Sequence, residues 1–350
     1  MAETAEIICE QDGAAGLITL NRPQALNALT LDMVRAMRRA LDAWADDPHV
    51  TRVVVTGAGE RAFCAGGDIR HLYELGQAGR RDEALGFWRG EYALNVRIKG
   101  YPKPYVSLID GLVMGGGVGV SLHGSYRVAG DRYAFAMPEV GIGFFPDVGA
   151  TWALPRLPGK AGLYLALTGE RVRAADALAL GLATHAVPSS AVNDVRAALT
   201  AGEPVDAVLA SAARGPGEAS LGREQDIVDS CFAGESVEAV LSRLDEAATD
   251  GSAFAAKTAA TIRAKSPTSL CIAFEQMRRG GALDFEEAMR TEFRIVSRVV
   301  EGHDFYEGVR AAVIDKDGTP NWRPPRLADV READVRRHFD ALGSRELEIV

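Results

Sequence analysis

Three segments of the chain hold residues whose types and spacing could do chemistry on a carbonyl group. Two are glycine-rich turns, Cys-Ala-Gly-Gly-Asp at 64–68 and Met-Gly-Gly-Gly at 114–117, and the third, at 137–152, carries Glu139 and Asp147. Glycine inside a helix or strand costs roughly 0.5–1 kcal/mol relative to alanine. Runs of glycine therefore indicate places where the backbone must approach another group closely.

The glycine run at 114–121 does not fit the known phosphate-binding and dinucleotide-binding spacings. A G-x-G-x-x-G motif counted from Gly115 would need glycine where Val120 stands, and counted from Gly117 where Leu122 stands. The chain also lacks a G-x-x-x-x-G-K-[ST] string and a G-x-S-x-G serine motif. The sequence thus argues against a Rossmann site, a phosphate loop and a serine hydrolase.

Both turns follow a strand-like run and lead into a helical pattern. The N–H groups at a helix start have no partner within the helix and carry the positive end of its dipole. One such group from each turn could converge on the oxygen of a thioester or acyl carbonyl and form an oxyanion hole. On spacing alone, two turns with a purely structural role are the alternative.

The two carboxylates of the third segment stand among glycines, prolines and the apolar residues Ile142, Phe144 and Phe145. Burial would raise the pKa of Glu139 or Asp147 toward the range that is useful for acid–base catalysis. The structural alternative is a pair of loop carboxylates that cap helix N-termini.

No group of residues has convincing metal-ligand spacing. Asp315–Gly318 places its glycine too early for a calcium loop, and His303 with Glu307 lacks a third ligand. The sequence therefore predicts no metal. The four cysteines are scattered, which is typical of reduced thiols and predicts a cytoplasmic location; they are Cys9, Cys64, Cys231 and Cys271.

Composition excludes several classes of protein. The formal net charge of the 350 residues is −9, which argues against non-specific nucleic-acid binding. No apolar stretch reaches the roughly 18 residues that a membrane span needs, so no membrane partner is predicted. The acidic first residues do not resemble a signal or transit peptide.

The elements that must position these residues alternate in type. A strand-like run at 16–20, a helix capped by Thr30 and a buried strand at 52–57 predict an α/β fold. Helical patterns dominate after about residue 159, and a weakly patterned stretch starts at 200. We therefore predict two domains, at 1–200 and 201–350.

Together these segments resemble the crotonase (enoyl-CoA hydratase/isomerase) superfamily. The resemblance implies an α/β spiral of repeated ββα units with a helical C-terminal domain. The strings that carry it are NRPQALNALT at 21–30, RAFCAGGDI at 61–69, DGLVMGGGVGV at 110–120, MPEVGIGFFPDVGA at 137–150 and LTGERVRAADALALGLATHAV at 167–187.

Within the superfamily, the chain is most similar to the hydrolases that act on 3-hydroxyisobutyryl-CoA in valine breakdown. The features are FPDVG at 145–149, Glu91 in FWRGEYALN, a long second half, SPTSL at 266–270 and GHDFYEGVRAAVIDKDGTPNW at 302–322. The two-glutamate hydratases carry a glutamate two residues after the glycine triplet, and here that position is Gly119. This departure favours hydrolysis. An enoyl-CoA hydratase or isomerase stays the first alternative, and a non-enzymatic CoA-ester binder the second.

The resemblance also implies a role for individual residues. The backbone N–H groups of Gly67 and Gly116 would form the oxyanion hole, and Glu139 and Asp147 would be the catalytic carboxylates. Glu91 would join Gly116, Glu139 and Asp147 around the substrate. Coenzyme A would enter as part of the substrate, with no separate cofactor, and the protein would be a homo-oligomer. The residues expected along coenzyme A are Ala25, Asn27, Ala28, Ala62, Cys64 and Ala65.

Overall fold

The computed structural model describes residues 5–349. The chain forms two compact units, each assembled from three segments. Unit 1 comprises the described residues up to Asp68, Gly90–Ala136 and Arg171–Ala219. Unit 2 comprises Ile69–Arg89, Met137–Glu170 and the residues from Ser220 onward.

Within residues 5–349, ten strands, all in unit 1, form two sheets. In chain order they are β1 (Ile7–Asp12), β2 (Ala15–Leu20), β3 (Arg52–Gly57), β4 (Ala62–Cys64), β5 (Tyr105–Ile109), β6 (Leu112–Met114), β7 (Tyr126–Ala129), β8 (Ala134–Ala136), β9 (Val172–Arg173) and β10 (His185–Ala186). One sheet has the order β1-β2-β3-β5-β7-β10, and the other has the order β4-β6-β8-β9. Apart from β1 with β2 and β8 with β9, all neighbours are parallel.

The longer helices are distributed along the chain and dominate its second half. They are Leu31–Ala45, Ile69–Gln77, Arg81–Lys99, Ala161–Thr168, Ala174–Ala179, Val192–Thr200, Val205–Ala212, Gln225–Cys231, Val237–Thr249, Ala253–Arg263, Pro267–Gly280, Phe285–Val299, Asp304–Val309 and Glu332–Arg337. None of the helices within residues 5–349 has the length and apolar character needed to cross a bilayer.

Consecutive strand pairs alternate between the two sheets. The strands β3, β5 and β7 lie in the first sheet, and their successors β4, β6 and β8 lie in the second. A helical segment follows each pair, at Ile69–Gln77, Gly116–Gly119 and Glu139–Ile142. This repeat confirms the predicted spiral of ββα units. In each repeat, the residues expected to be functional come shortly after the second strand of the pair.

Local sequence explains the first of these units. Thr30 Oγ1 accepts a hydrogen bond from the Met33 N–H at 3.3 Å and caps the helix Leu31–Ala45, as predicted. Trp44 on its buried face leaves no room for a side chain at Gly16, because a Cβ there would overlap the indole ring. Glycine at this position of β2 therefore lets the helix pack directly on the strand.

The compact units do not follow the predicted division at residue 200. The helix Val205–Ala212 belongs to unit 1, because Val205, Val208 and Leu209 are buried in the core cluster that also holds Val54 and Val106. The segment 137–170 belongs to unit 2 instead. Sequence composition marks the loop near 200, whereas packing joins the segments on either side of it.

Candidate active site

The two glycine turns lie against each other in unit 1. A Cβ built on Gly66 would lie 3.9 Å from the Gly116 nitrogen, and a Cβ on Gly117 would overlap the Cys64 carbonyl. Leu29 pairs with Gly67 in a parallel bridge, through Leu29 N–H to Gly66 O at 2.8 Å and Asp68 N–H to Leu29 O at 2.9 Å. This pattern uses neither the Gly67 N–H nor the Gly116 N–H.

Glu91 closes the same region of unit 1. Its side chain is buried on the helix Arg81–Lys99, and a Cβ on Gly116 would overlap Glu91 Oε1 and press against Leu29. A side chain at position 116 would therefore displace Glu91, independent of any ligand. The structure brings the predicted substrate residue Glu91 next to the predicted amide donor Gly116.

The loops expected to bind coenzyme A are tied together by Asn27. This residue is fully buried in a left-handed conformation with φ of 57°, and its Oδ1 accepts from the Arg22 N–H at 2.9 Å. Its Nδ2 donates to Ala58 O at 2.9 Å and to Ala62 O at 3.0 Å. The Asn27 side chain is therefore committed to joining the two loops, which limits it to shaping the ligand site.

A groove of about 280 Å³ runs between these loops, lined by residues 23, 24, 26 and 27 and by residues 58–62. Asn27 and Ala62 are among the lining residues, whereas Ala25, Ala28, Cys64 and Ala65 are not. Cys64 is completely buried, and burial raises the pKa of its thiol to about 12. The Cys64 side chain is accordingly inert, and only its backbone is available to the predicted role.

Glu139 is a carboxylate of unit 2 that combines burial with a side-chain oxygen left unpaired by the described residues. It begins the short 3₁₀ helix Glu139–Ile142, is 6% exposed, and its Oε2 is buried without a hydrogen-bond partner among residues 5–349. Burial raises the pKa of Glu139 well above its ordinary value, and the charge of Asp147 raises it further. A buried carboxylate oxygen without a protein partner is costly to maintain unless a ligand or reaction uses it.

Aromatic rings surround the chain around Glu139. Phe144, whose N–H donates to Glu139 O at 3.0 Å, stacks on Phe145 at 4.6 Å and on Trp88 at 5.7 Å between ring centroids. Phe305 packs on the same ring at 5.5 Å. The Glu139 backbone is thus bonded to a member of an aromatic cluster, whereas the pKa of the Glu139 carboxyl is raised first by its own burial.

Asp147 lies in a strained loop of the same unit. It is 5% exposed, and the next residues, Val148 and Gly149, have φ of 53° and 91°. A β-branched residue in the left-handed region is a genuine conformational outlier. The surrounding structure must therefore hold this loop, and with it Asp147, in place.

Sequence reasoning missed Glu292, a third buried carboxylate of unit 2. Burial, followed by the charge of Asp147, raises the pKa of Glu292 to about 8, and hydrogen bonds from Thr151 and Gly149 oppose the shift. The signal was present in the sequence, since Glu292 falls on the stripe of the helix Phe285–Val299 that Met289 and Val296 also occupy. A charge on an apolar stripe indicates a special role.

The weak metal candidates have other partners. Arg310 donates to Glu307, Asp315 and Asp317, at 2.9, 2.7 and 2.6 Å. His303 Nδ1 lies 3.1 Å from Asp304 Oδ1. Among residues 5–349, no group of three or more possible ligand residues could hold a metal ion. These acidic residues hold a surface turn together through one guanidinium.

Known proteins match this geometry over nearly the whole chain. The model of the enoyl-CoA hydratase/isomerase family matches residues 15–339. Two curated relatives are named 3-hydroxyisobutyryl-CoA hydrolase, mitochondrial. The Rattus norvegicus protein is 46% identical over 99% of this chain and 91% of its own length. The Homo sapiens protein is 43% identical over 98% and 90%.

Solved structures show the same fold with different names. A carnitinyl-CoA dehydratase from Mycobacterium thermoresistibile has a TM-score of 0.94 and 42% identity, covering 99% of both chains. An enoyl-CoA hydratase from Rhodobacter sphaeroides has a TM-score of 0.92 and 40% identity, covering 98% of this chain and 100% of its own.

Proposed function

The chain belongs to the enoyl-CoA hydratase/isomerase family, and on that premise we propose that it hydrolyses 3-hydroxyisobutyryl-CoA to 3-hydroxyisobutyrate and coenzyme A. The name of the curated relatives, at 43–46% identity over nearly their full length, supports this substrate. The observation that carries the proposal is Glu139, whose buried Oε2 has no partner among the described residues. A CoA-ester binder without activity would have no use for it.

Backbone amides stabilise the transition state in this proposal. The thioester oxygen accepts from the Gly67 and Gly116 N–H groups, and negative charge develops on that oxygen as the carbonyl carbon is attacked. Because the donors are fixed before the reaction, they need no reorganisation, and each is worth on the order of 10²–10³ in rate. The sulfur then leaves with the electron pair of the carbon–sulfur bond and takes up the proton that the attacking water has lost, which gives the thiol of coenzyme A.

Glu139 drives the attack by one of two routes. As a general base, it takes a proton from water while the water oxygen bonds to the carbonyl carbon. As a nucleophile, it forms an acyl–glutamate anhydride, expels the thiolate and is released by water. Rapid-quench mass spectrometry in a single turnover distinguishes the routes, since only the anhydride adds the acyl mass to the peptide that carries Glu139.

Asp147 and Glu91 are assigned to the hydroxyl group of the acyl chain. A site built to hydrogen-bond a substrate hydroxyl rejects the analogue without it, because its buried polar groups are then left unpaired. Asp147 also raises the pKa of Glu139, so it tunes the base in addition to recognising the substrate.

Hydration of an enoyl-CoA is the competing function. It is favoured by the names of the solved relatives, a dehydratase and a hydratase at 40–42% identity. The residue that would be the second acid–base glutamate in a two-glutamate hydratase is Gly119, which is buried in the short helix Gly116–Gly119. With one of two acid–base groups missing, addition of water across a double bond is disfavoured.

Release of free thiol across a panel of acyl-CoA esters tests the proposal. We expect 3-hydroxyisobutyryl-CoA to have the highest kcat/KM, and isobutyryl-CoA, which lacks the hydroxyl, to be a poor substrate. Absence of thiol release from every ester would overturn the hydrolase assignment. The homo-oligomer and the cytoplasmic location stay predictions; the curated relatives carry the word mitochondrial in their names.

A further inference from the structure

Two distant helices of unit 2 hold the loop that carries Asp147. Glu292, on the helix Phe285–Val299, accepts the Gly149 N–H on Oε2 at 2.8 Å and the Thr151 N–H on Oε1 at 2.9 Å. Its side chain is fully buried. The carboxylate therefore spans the loop from its C-terminal side with both oxygens.

Gln276, on the helix Pro267–Gly280, holds the same loop at its two ends. Its Nε2 donates to Pro146 O, directly before Asp147, and to Thr151 Oγ1 at 2.6 Å. Gln276 is also fully buried. Together Glu292 and Gln276 fix backbone groups one residue before Asp147 and two and four residues after it.

The loop could not keep this shape by itself. Val148 is in the left-handed region, which costs a β-branched residue on the order of 1–3 kcal/mol, whereas Gly149 adopts its positive φ without strain. The short helix that follows, Ala150–Ala153, begins after a glycine, which has no side chain to cap the free N–H groups. Glu292 supplies this cap from a remote part of the chain.

We propose that Glu292, supported by Gln276, is the positioning residue that aims Asp147 at the hydroxyl group of the substrate. The inference rests on the proposed role of Asp147. Burying a carboxylate is costly, and an apolar side chain would fill the same place without that cost. The place of Glu292 on an apolar stripe, with both oxygens bonded to the Asp147 loop, indicates that the loop geometry requires it.

The test is Glu292→Gln, which keeps the shape but turns one acceptor oxygen into an amide that faces a backbone N–H. The readout is kcat/KM for 3-hydroxyisobutyryl-CoA and for isobutyryl-CoA, alone and in combination with Asp147→Asn. We expect a roughly 10- to 100-fold loss on the hydroxylated ester, a smaller loss on isobutyryl-CoA, and little further loss when the two substitutions are combined.

If Glu292 had a purely structural role, Glu292→Gln would lower kcat/KM for both substrates by the same factor. The inference about Glu292 would be overturned if Glu292→Gln discriminated between the two esters as the wild type does. It would also be overturned if the losses in kcat/KM of Glu292→Gln and Asp147→Asn multiplied fully in the double variant. In both cases the proposed role of Asp147 would stand. If Asp147→Asn itself leaves the discrimination intact, the proposed role of Asp147 fails and the inference fails with it. These two failures are distinguishable from the single variants.

Two further variants complete the experiment. Thr151→Val removes the Oγ1 that Gln276 binds but keeps nearly the same side-chain shape, so it serves as the test if Glu292→Gln does not fold. Reduced discrimination between the two esters in Thr151→Val supports the inference, and wild-type discrimination overturns it. Glu287→Gln is the matched control on the same helix, because Glu287 pairs with Arg294 at 2.7 Å at a partly exposed position. We expect it to leave both kcat/KM values unchanged.

Discussion

The glycine turns of unit 1 and the carboxylates of unit 2 are built in opposite ways. The turns offer backbone N–H groups at Gly67 and Gly116, in positions where a Cβ on Gly116 would overlap a neighbour. The carboxylates of Glu139, Asp147 and Glu292 are side-chain groups in an apolar environment that shifts two of their pKa values upward. One region depends on shape, and the other depends on desolvation.

This difference decides how each region responds to change. A backbone donor cannot be removed by substituting its own side chain, so only added bulk can damage it. A buried carboxylate can be neutralised with almost no change of shape. Substitutions in the two regions should therefore lower activity to different extents.

Glu139→Gln should lower kcat on 3-hydroxyisobutyryl-CoA by about 10²–10⁴-fold, because removal of a general base typically costs this much. The amide has the same shape and removes the charge that is expensive to bury, so binding of the CoA ester should change little. Thiol release and equilibrium binding of a non-hydrolysable analogue measure the two quantities. Near wild-type turnover would refute the assignment.

Gly116→Ala should cost on the order of 10²–10³ in kcat, comparable with loss of one oxyanion donor. The added Cβ overlaps Glu91 Oε1, so either the turn or the Glu91 side chain must shift, and both belong to the proposed substrate site. The matched control is Gly86→Ala, where a Cβ meets nothing within 4 Å and φ is ordinary. Equal activity of the two variants would contradict the role of the turn.

Asp147→Asn should move the ascending limb of the pH profile. Glu139 acts as a base in its ionised form, so kcat/KM rises as the pH passes through its pKa. Burial and then the Asp147 charge raise that pKa, and removal of the charge must lower it. The limb of log kcat/KM should therefore shift to lower pH, together with a roughly 10- to 100-fold loss on the hydroxylated ester. An unshifted limb would show that the two carboxylates are not coupled.

Asn27→Ala should affect stability more than chemistry. The substitution removes hydrogen bonds to Arg22, Ala58 and Ala62 and places alanine at a φ of 57°. We expect a loss of about 2–4 kcal/mol in the free energy of unfolding, with kcat changed least of all. Urea unfolding measures it, and Asn193→Ala, at an exposed helical position, is the control, expected to stay within about 0.5 kcal/mol.

The contrast between the regions also explains what the sequence could predict. The turns are read from short strings, because glycine at 66, 67 and 115–117 is a local requirement of tight turns and close backbone approach. Strands such as β3 and the cap at Thr30 are equally local. The ββα repeat has a different source, since only the resemblance to the crotonase superfamily implied it.

The parts that escaped prediction depend on contacts between distant segments. Glu292 and Gln276 bond to the Asp147 loop from 143 and 130 residues away along the chain. A short sequence pattern cannot predict a hydrogen bond between segments so far apart. The hydrogen bonds of the Asn27 side chain to Ala58 and Ala62 could not be predicted for the same reason. The division at residue 200 followed composition, whereas packing assigns 137–170 to the helical unit.

The central question is whether the protein hydrolyses a CoA thioester or hydrates an enoyl-CoA. Both activities can be measured on one purified sample. Thiol release from 3-hydroxyisobutyryl-CoA is measured beside loss of the enoyl absorbance of a 2-enoyl-CoA under the same conditions. Our account predicts rapid thiol release that Glu139→Gln abolishes, and at most slow loss of the enoyl signal. Rapid loss of the enoyl absorbance without release of thiol would contradict it.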